Sequence, residues 1–232
     1  MKTILCYGDS LFWGFIPGSY NKTTCLGERY PKNKRLVGLL QNCLGENFNI
    51  VEEAMNGRTT NLDEIIPGRL FRNGLTYLPM SLELHYPIDL VIFMLGTNDM
   101  KIQYNQSVEE SANGIAQLIK TIKTCNKGID GNAPKILMIA PPLIENTINM
   151  QDQYNEESIE KSKKIGNAYQ QIAIRENCEF LDASSIIKAS KKDGIHLDEN
   201  QYELLSHSIY EKITRLLQIN ISTSTHSFSF SR

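Results

Sequence analysis

Residues 90–95 read LVIFML and run straight into Gly96-Thr97-Asn98-Asp99. An unbroken apolar run of this length, stopped by glycine, predicts a strand covered on both faces, which is the mark of a parallel sheet. Other stretches repeat the pattern. Residues 3–7 (TILCY) end at Gly8, residues 48–54 (FNIVEEA) end before Asn56-Gly57, and residues 135–140 (KILMIA) stop at Pro141-Pro142. Residues 178–181 (CEFL) give a shorter fifth strand. Between them lie segments with a 3.6-residue apolar period. Residues 32–44 align Leu36, Leu39, Leu40 and Leu44, and residues 108–124 align Val108, Ala112, Ile115, Leu118, Ile119 and Ile122. Residues 158–177 and 200–217 do the same through Ile159, Ile165 and Ile172, and through Tyr202, Leu205, Ile209 and Ile213. Strands alternating with helices imply βαβ crossovers. The expected architecture is an α/β, three-layer α/β/α sandwich around a mainly parallel five-stranded sheet.

The 232 residues, 41% of them hydrophobic, suffice for one domain, expected over residues 1–218. Residues 219–232 end in STSTHSFSFSR, without period, and read as a flexible tail. Residues 61–86 are punctuated by Gly and Pro and read as a partly helical insertion. A net charge of −2 and the lack of a basic stripe argue against nucleic acid as a partner. No apolar window reaches the ~20 residues of a membrane span. The first residues are too short an apolar run for a signal peptide. Five cysteines without C-x-x-C spacing read as free thiols. Together these predict a cytoplasmic protein without membrane partner, metal or other cofactor.

Four motifs follow strands or precede the last helix: Gly8-Asp9-Ser10-Leu11, Asn56-Gly57-Arg58, Gly96-Thr97-Asn98-Asp99 and Asp193-Gly194-Ile195-His196. Ligands bind outside the carboxyl ends of strands in open parallel sheets. Ser10 there offers a nucleophilic hydroxyl, with the N–H groups of its own turn facing it. Asp193 and His196 share a face if residues 193–196 form a helical or 3₁₀ turn. The carboxylate then sets the imidazole tautomer and leaves the other nitrogen to take the serine proton. The Asn98 amide and the Gly57 N–H are candidate oxyanion donors, together with the Ser10 N–H. Each motif also has a plainer reading. Gly-Asp-Ser is an ordinary turn with an N-cap serine, Asp193 to His196 is a helix entry with Asp198 as cap, and Asn-Gly is a common turn. Their convergence on one sheet edge favours a site. Asp9 and Asp99 adjoin turns and read as caps on backbone N–H groups, with no spacing that suits a metal. No nucleophile elbow, Walker A loop or G-x-G-x-x-G occurs.

In this order the four motifs resemble the SGNH branch of the GDSL hydrolases, named for a serine, glycine, asparagine and histidine in four blocks. Here those residues are Ser10, Gly57, Asn98 and His196, with Asp193 completing a triad, and the resemblance runs from residue 2 to about residue 217. The segments ILCYGDSLFWGF, VEEAMNGRTTNLDE, HYPIDLVIFMLGTNDMK and DGIHLD are similar to the bacterial arylesterase/acyltransferase subgroup. The resemblance implies a flavodoxin-like fold and a serine esterase acting on short-chain or aryl esters through an acyl-enzyme, with acyl transfer to alcohols in some members. It also implies a homo-oligomer, here through residues 61–86. A carbohydrate O-acetyl esterase on the same residues, or a binding module with a dead triad, are the rival readings. The chain departs from the family at Phe12, where a small hydroxyl residue is common. Asp9, Phe12 and Trp13 are expected beside the substrate, and Phe12, Trp13 and Phe15 put large apolar surface close to Ser10, although these aromatics could instead face the core under the first helix.

Overall fold

The computed structural model describes residues 1–24, 26–64, 70–147 and 152–219. Cys25 and all but the first residue of the expected tail lie outside the described residues. Five strands form one parallel sheet in the order β2-β1-β3-β4-β5. They are β1 (Lys2–Gly8), β2 (Phe48–Ala54), β3 (Leu90–Met94), β4 (Lys135–Ala140) and β5 (Glu179–Asp182). The helices are α1 (Ser10–Trp13), α2 (Leu36–Leu44), α3 (Gly74–His85), α4 (Val108–Thr124), α5 (Glu156–Arg175) and α6 (Glu199–Leu216). The order reverses direction between β1 and β3, so the crevice of this doubly wound sheet opens beside the ends of those two strands.

Two-residue alternation along the strands builds the three layers. Leu5 and Tyr7 of β1, Val91 and Phe93 of β3, and Ile136 and Met138 of β4 point to one core, shared with α3, α4 and α5. Ile4 and Cys6, Ile92 and Met94, and Leu137 and Ile139 point to the opposite core, under α2 and α6. Both faces of β3 are buried from end to end, which is why its sequence shows no polar alternation.

Local signals set most helix ends. Ser107 and Glu110 form a capping box at the start of α4, and Asn155 with Ser158 does so for α5. One predicted helix is divided. Residues 32–34 form a 3₁₀ turn, and α2 begins only after Arg35, whose backbone is extended (φ −116°, ψ 164°). The reason is tertiary. Arg35 Nε and Nη2 donate to the two Glu52 oxygens at 2.8 and 2.9 Å, and Nη1 donates to Tyr30 O at 3.0 Å. This bidentate pair fixes the side chain on β2 and breaks the helical run. The insertion is helical over α3, with Asn73 capping Thr76 N–H at 3.2 Å; residues 65–69 lie outside the described residues. Cys6, Cys43, Cys125 and Cys178 are free thiols. No helix of the described residues is long and apolar enough to cross a membrane.

Candidate active site

Three strand ends and one distant loop meet at the crevice. β1 hands over to Asp9, whose carboxylate accepts the Leu11 N–H at 2.9 Å and caps the four-residue α1. Ser10 is the first residue of that helix and is 6% exposed. After β2 the chain turns at residues 55–58, closed by Arg58 N–H on Met55 O at 3.1 Å. Gly57 takes φ +80° in this turn, a left-handed conformation that favours glycine. Met55 N–H donates to Gly8 O at 3.1 Å and Arg58 Nη1 to the same oxygen at 3.0 Å, so the β2 turn is bolted to the end of β1. The Arg58 guanidinium also lies 4.0 Å over the Tyr7 ring. Among the described residues neither the Ser10 N–H nor the Gly57 N–H has an acceptor.

Asn98 follows β3 and is 5% exposed. Its Nδ2 donates to Asp9 Oδ2 at 3.2 Å and to Arg58 O at 3.1 Å. Both amide hydrogens therefore have acceptors, and Asn98 can serve an oxyanion only by sharing one of these long bonds.

The fourth motif is a turn rather than the expected helical or 3₁₀ turn. Asp193 Oδ1 accepts the N–H groups of Ile195 and His196 at 3.0 and 2.9 Å, the Asx geometry that curls residues 193–196. Gly194 sits at φ +77°, and a Cβ there would lie 2.2 Å from Glu145 O. Its own carbonyl accepts the Glu145 N–H at 2.9 Å, so the turn is backed against the loop after β4. Gly194→Ala is expected to cost roughly 1–3 kcal/mol in strain and displacement, read as a lower melting temperature. The turn places His196 Nδ1 2.8 Å from Asp193 Oδ2 and His196 Nε2 3.0 Å from Ser10 Oγ.

A segment in which only Phe15 has an expected place near Ser10 completes the site. The chain returns on itself as a hairpin between Phe15 and Arg29, which form a bridge, with Ile16 N–H on Glu28 O at 3.0 Å. Its Gly18 N–H donates to Asp193 Oδ2 at 3.0 Å, and the Phe15 ring stacks on His196 with centroids 4.1 Å apart. A cavity of about 240 Å³ opens over Ser10, Gly57, Asn98 and His196, walled by Phe15, Tyr20, Lys22, Lys101, Tyr154 and Ile195.

The expected substrate contacts at Asp9, Phe12 and Trp13 do not line this cavity. Asp9 and Phe12 are fully buried, and Phe12 packs in the core with Leu11, Leu36 and Leu40. Phe12 also lies against Gly8, where a Cβ would come 2.7 Å from its ring. Trp13 turns outward under the Arg29 guanidinium, 4.6 Å from its ring centroid. The aromatic at the site is Phe15. Among the described residues no group of three or more His, Cys, Asp or Glu side chains is placed to hold a metal ion.

The carboxyls of the site are shifted in opposite senses. Burial pushes Asp193 up, but the hydrogen bond and charge of His196 and the two N–H groups of its turn outweigh it, and its pKa falls to about 2. Burial raises Asp9 to about 7, reinforced by Asp99 and opposed by the Leu11 N–H, Arg58 and Lys101. Burial raises Asp99 to about 6 against its bonds to Thr60. The signs give a pH dependence of stability. Asp193 is depressed, so its contribution is present above the ordinary 3.8 and is lost as pH falls through about 2. Asp9 and Asp99 are raised, so theirs is fully present below 3.8 and is lost as pH rises from there through about 7 and about 6, respectively. Melting curves across pH should show the combined contribution of these three groups greatest near pH 4 and falling from there to about pH 7, and Asp9→Asn should weaken that decline.

A model described as GDSL-like lipase/acylhydrolase matches residues 4–209. Among solved structures, the chain is similar to a carbohydrate acetylesterase from Sinorhizobium meliloti, with 38% identity and a TM-score of 0.85 over 93% of this chain and 100% of that one. It is similar to the native aryl esterase of M. smegmatis at 34% identity and a TM-score of 0.85, again over 93% and 100% of the two chains. A carbohydrate acetylesterase family member from Sinorhizobium meliloti shares 31% identity at a TM-score of 0.83, over 94% and 100%. No curated protein sequence matches the chain.

Proposed function

The chain belongs to the GDSL-like lipase/acylhydrolase family and is a carboxylic ester hydrolase, and on that premise we propose that it cleaves small acyl esters through an acyl-enzyme on Ser10. The observation that carries this reading is the unbroken chain Asp193–His196–Ser10, with contacts of 2.8 and 3.0 Å. In the proposed reaction Ser10 Oγ attacks the ester carbonyl while His196 Nε2 takes its proton. The tetrahedral oxyanion accepts the Ser10 and Gly57 N–H groups, both without an acceptor among the described residues, and a shared bond from Asn98. His196 returns the proton to the leaving alcohol, and a water activated by the same nitrogen releases the acid. Asp193 keeps the imidazole in the needed tautomer and offsets its charge. Phe15 stacks on the ring and limits its freedom to turn away.

The cavity of about 240 Å³ supports a small acyl group, since sites for drug-sized ligands run to roughly 300–1,000 Å³. A hydrolysis panel of p-nitrophenyl esters from acetate upward tests this, with rates expected to fall steeply as the acyl chain lengthens. The 38%-identical carbohydrate acetylesterase favours a second reading, in which acetylated sugars are the preferred substrates. Greater kcat/KM for acetylated sugars than for aryl acetates would select it. Failure of Ser10 to react with a fluorophosphonate would instead favour a binding module. The same proposal includes transfer of the acyl group to alcohols, measured as ester formation in water with added alcohol. It also includes a homo-oligomer, supported by exposed Phe71, Met80 and Leu84 around α3 and tested by light scattering.

A further inference from the structure

Two carboxyls that take no part in the proposed reaction lie beneath its oxyanion donors. Asp9 and Asp99 are both fully buried. Asp9 Oδ1 holds the Leu11 N–H and so the turn that carries Ser10, while Oδ2 takes Nδ2 of Asn98 at 3.2 Å. Asp99 is adjacent to Asn98 in the chain. Its oxygens accept the Thr60 N–H at 3.2 and 3.1 Å, and Oδ1 also accepts the Thr60 hydroxyl. Thr60, itself fully buried, lies three residues beyond Gly57. One carboxyl thus ties the end of β1 to the end of β3, and the other ties the end of β3 to the turn after β2. These are the three loops that carry Ser10, Asn98 and Gly57.

We infer that Asp9 and Asp99 are positioning residues, which hold the three oxyanion donors at one spacing and act on turnover rather than on substrate affinity. The inference rests on the esterase reading above. Neither carboxyl touches the cavity, so each acts only through the groups it holds. Burying a carboxyl is costly, and a neutral cap would satisfy Leu11 or Thr60 with less desolvation. What a carboxylate adds is two strong acceptor oxygens, with charge-assisted bonds that fix direction more tightly than neutral ones. The charged groups that face Asp9 are Asp99, Arg58 and Lys101, and Asp99 also faces Lys101. Tyr169 feels both carboxyls, and Tyr202 feels Asp9. Burial lifts both acids toward neutrality, so the strength of these tethers changes over the pH range in which an esterase is assayed.

The test is steady-state hydrolysis of p-nitrophenyl acetate by the full chain, its Asp9→Asn, Asp99→Asn and Ser10→Ala variants, with melting temperatures for each. Misplacing oxyanion donors is expected to lower kcat by about 10- to 100-fold in either aspartate variant, with KM held within about threefold. The pH profile of kcat between about 6 and 8 should change shape in Asp9→Asn. If Asp9→Asn does not fold, Asp9→Ser keeps an N-cap for Leu11 and loses the Asn98 acceptor. If Asp99→Asn does not fold, Thr60→Val removes the hydroxyl donor at nearly constant volume. Folded variants with the parent kcat and pH profile, or with the loss confined to KM, overturn the inference while Ser10→Ala is inactive. Undiminished turnover by Ser10→Ala overturns the esterase reading and the inference with it.

Discussion

Ser10→Ala abolishes the burst of p-nitrophenol from p-nitrophenyl acetate and lowers kcat by about 10⁴-fold or more, the scale seen when a serine nucleophile is removed. The size follows from the geometry. Ser10 Oγ lies 3.0 Å from the nitrogen that would take its proton, in a site where it is 6% exposed. Binding and the backbone oxyanion donors survive the substitution, so a small residual rate is expected rather than none. The fold should be untouched. The α1 cap is the Asp9 carboxylate on Leu11 N–H, not the serine hydroxyl. A burst of undiminished amplitude in a folded Ser10→Ala protein would end the acyl-enzyme account.

Asp193→Asn is expected to cost about 10³- to 10⁴-fold in kcat with little change in KM, because an amide at this position favours the wrong imidazole tautomer. The carboxylate has four donors: His196 Nδ1, the N–H groups of Ile195 and His196, and the Gly18 N–H. An asparagine that presents Nδ2 to His196 would take its proton donor role and rotate or reprotonate the ring. The Gly18 N–H bonds the same carboxylate oxygen, Oδ2, so this placement also sets two donors face to face at the 3.0 Å contact that closes the hairpin. That loosens the hairpin and exposes the His196 ring now covered by Phe15. With a pKa of about 2, Asp193 stays ionised through any ordinary assay, so its own titration does not shape the activity profile. Activity within threefold of the parent for Asp193→Asn would show that it does not set the tautomer.

The parts of the site legible in the chain are those written in short, local motifs. Gly8-Asp9-Ser10, Asn56-Gly57, Asn98-Asp99 and Asp193 to His196 stand at strand ends or in a turn, and the structure brings Ser10, Gly57, Asn98, Asp193 and His196 to one cavity. The wall of that cavity is legible only in part: Phe15 is expected near Ser10, but so are Phe12 and Trp13, which do not line it. Phe12 and Phe15 are both apolar aromatics three residues apart, and a helix of four residues sets no period that tells core from cavity. Phe12 packs under α1 because Gly8 leaves room for its ring, whereas Phe15 lies past the left-handed Gly14 that ends the helix. The hairpin between Phe15 and Arg29 has no apolar alternation, and its link to the site is a backbone N–H, which no side-chain pattern records. Arg35 likewise breaks a clean helical period for a bidentate partner on β2.

The order of strands and helices, the burial of both sheet faces and the roster of reactive groups follow from local patterning, since period and turn chemistry act over a few residues. Which groups touch does not. The Ser10–His196 contact spans 186 positions and the Gly18–Asp193 contact 175. Contacts of that range exist only once crossovers, loop closure and buried tethers such as Asp9 have fixed distances to within an ångström. Packing of the whole chain sets those distances, and no single segment encodes them.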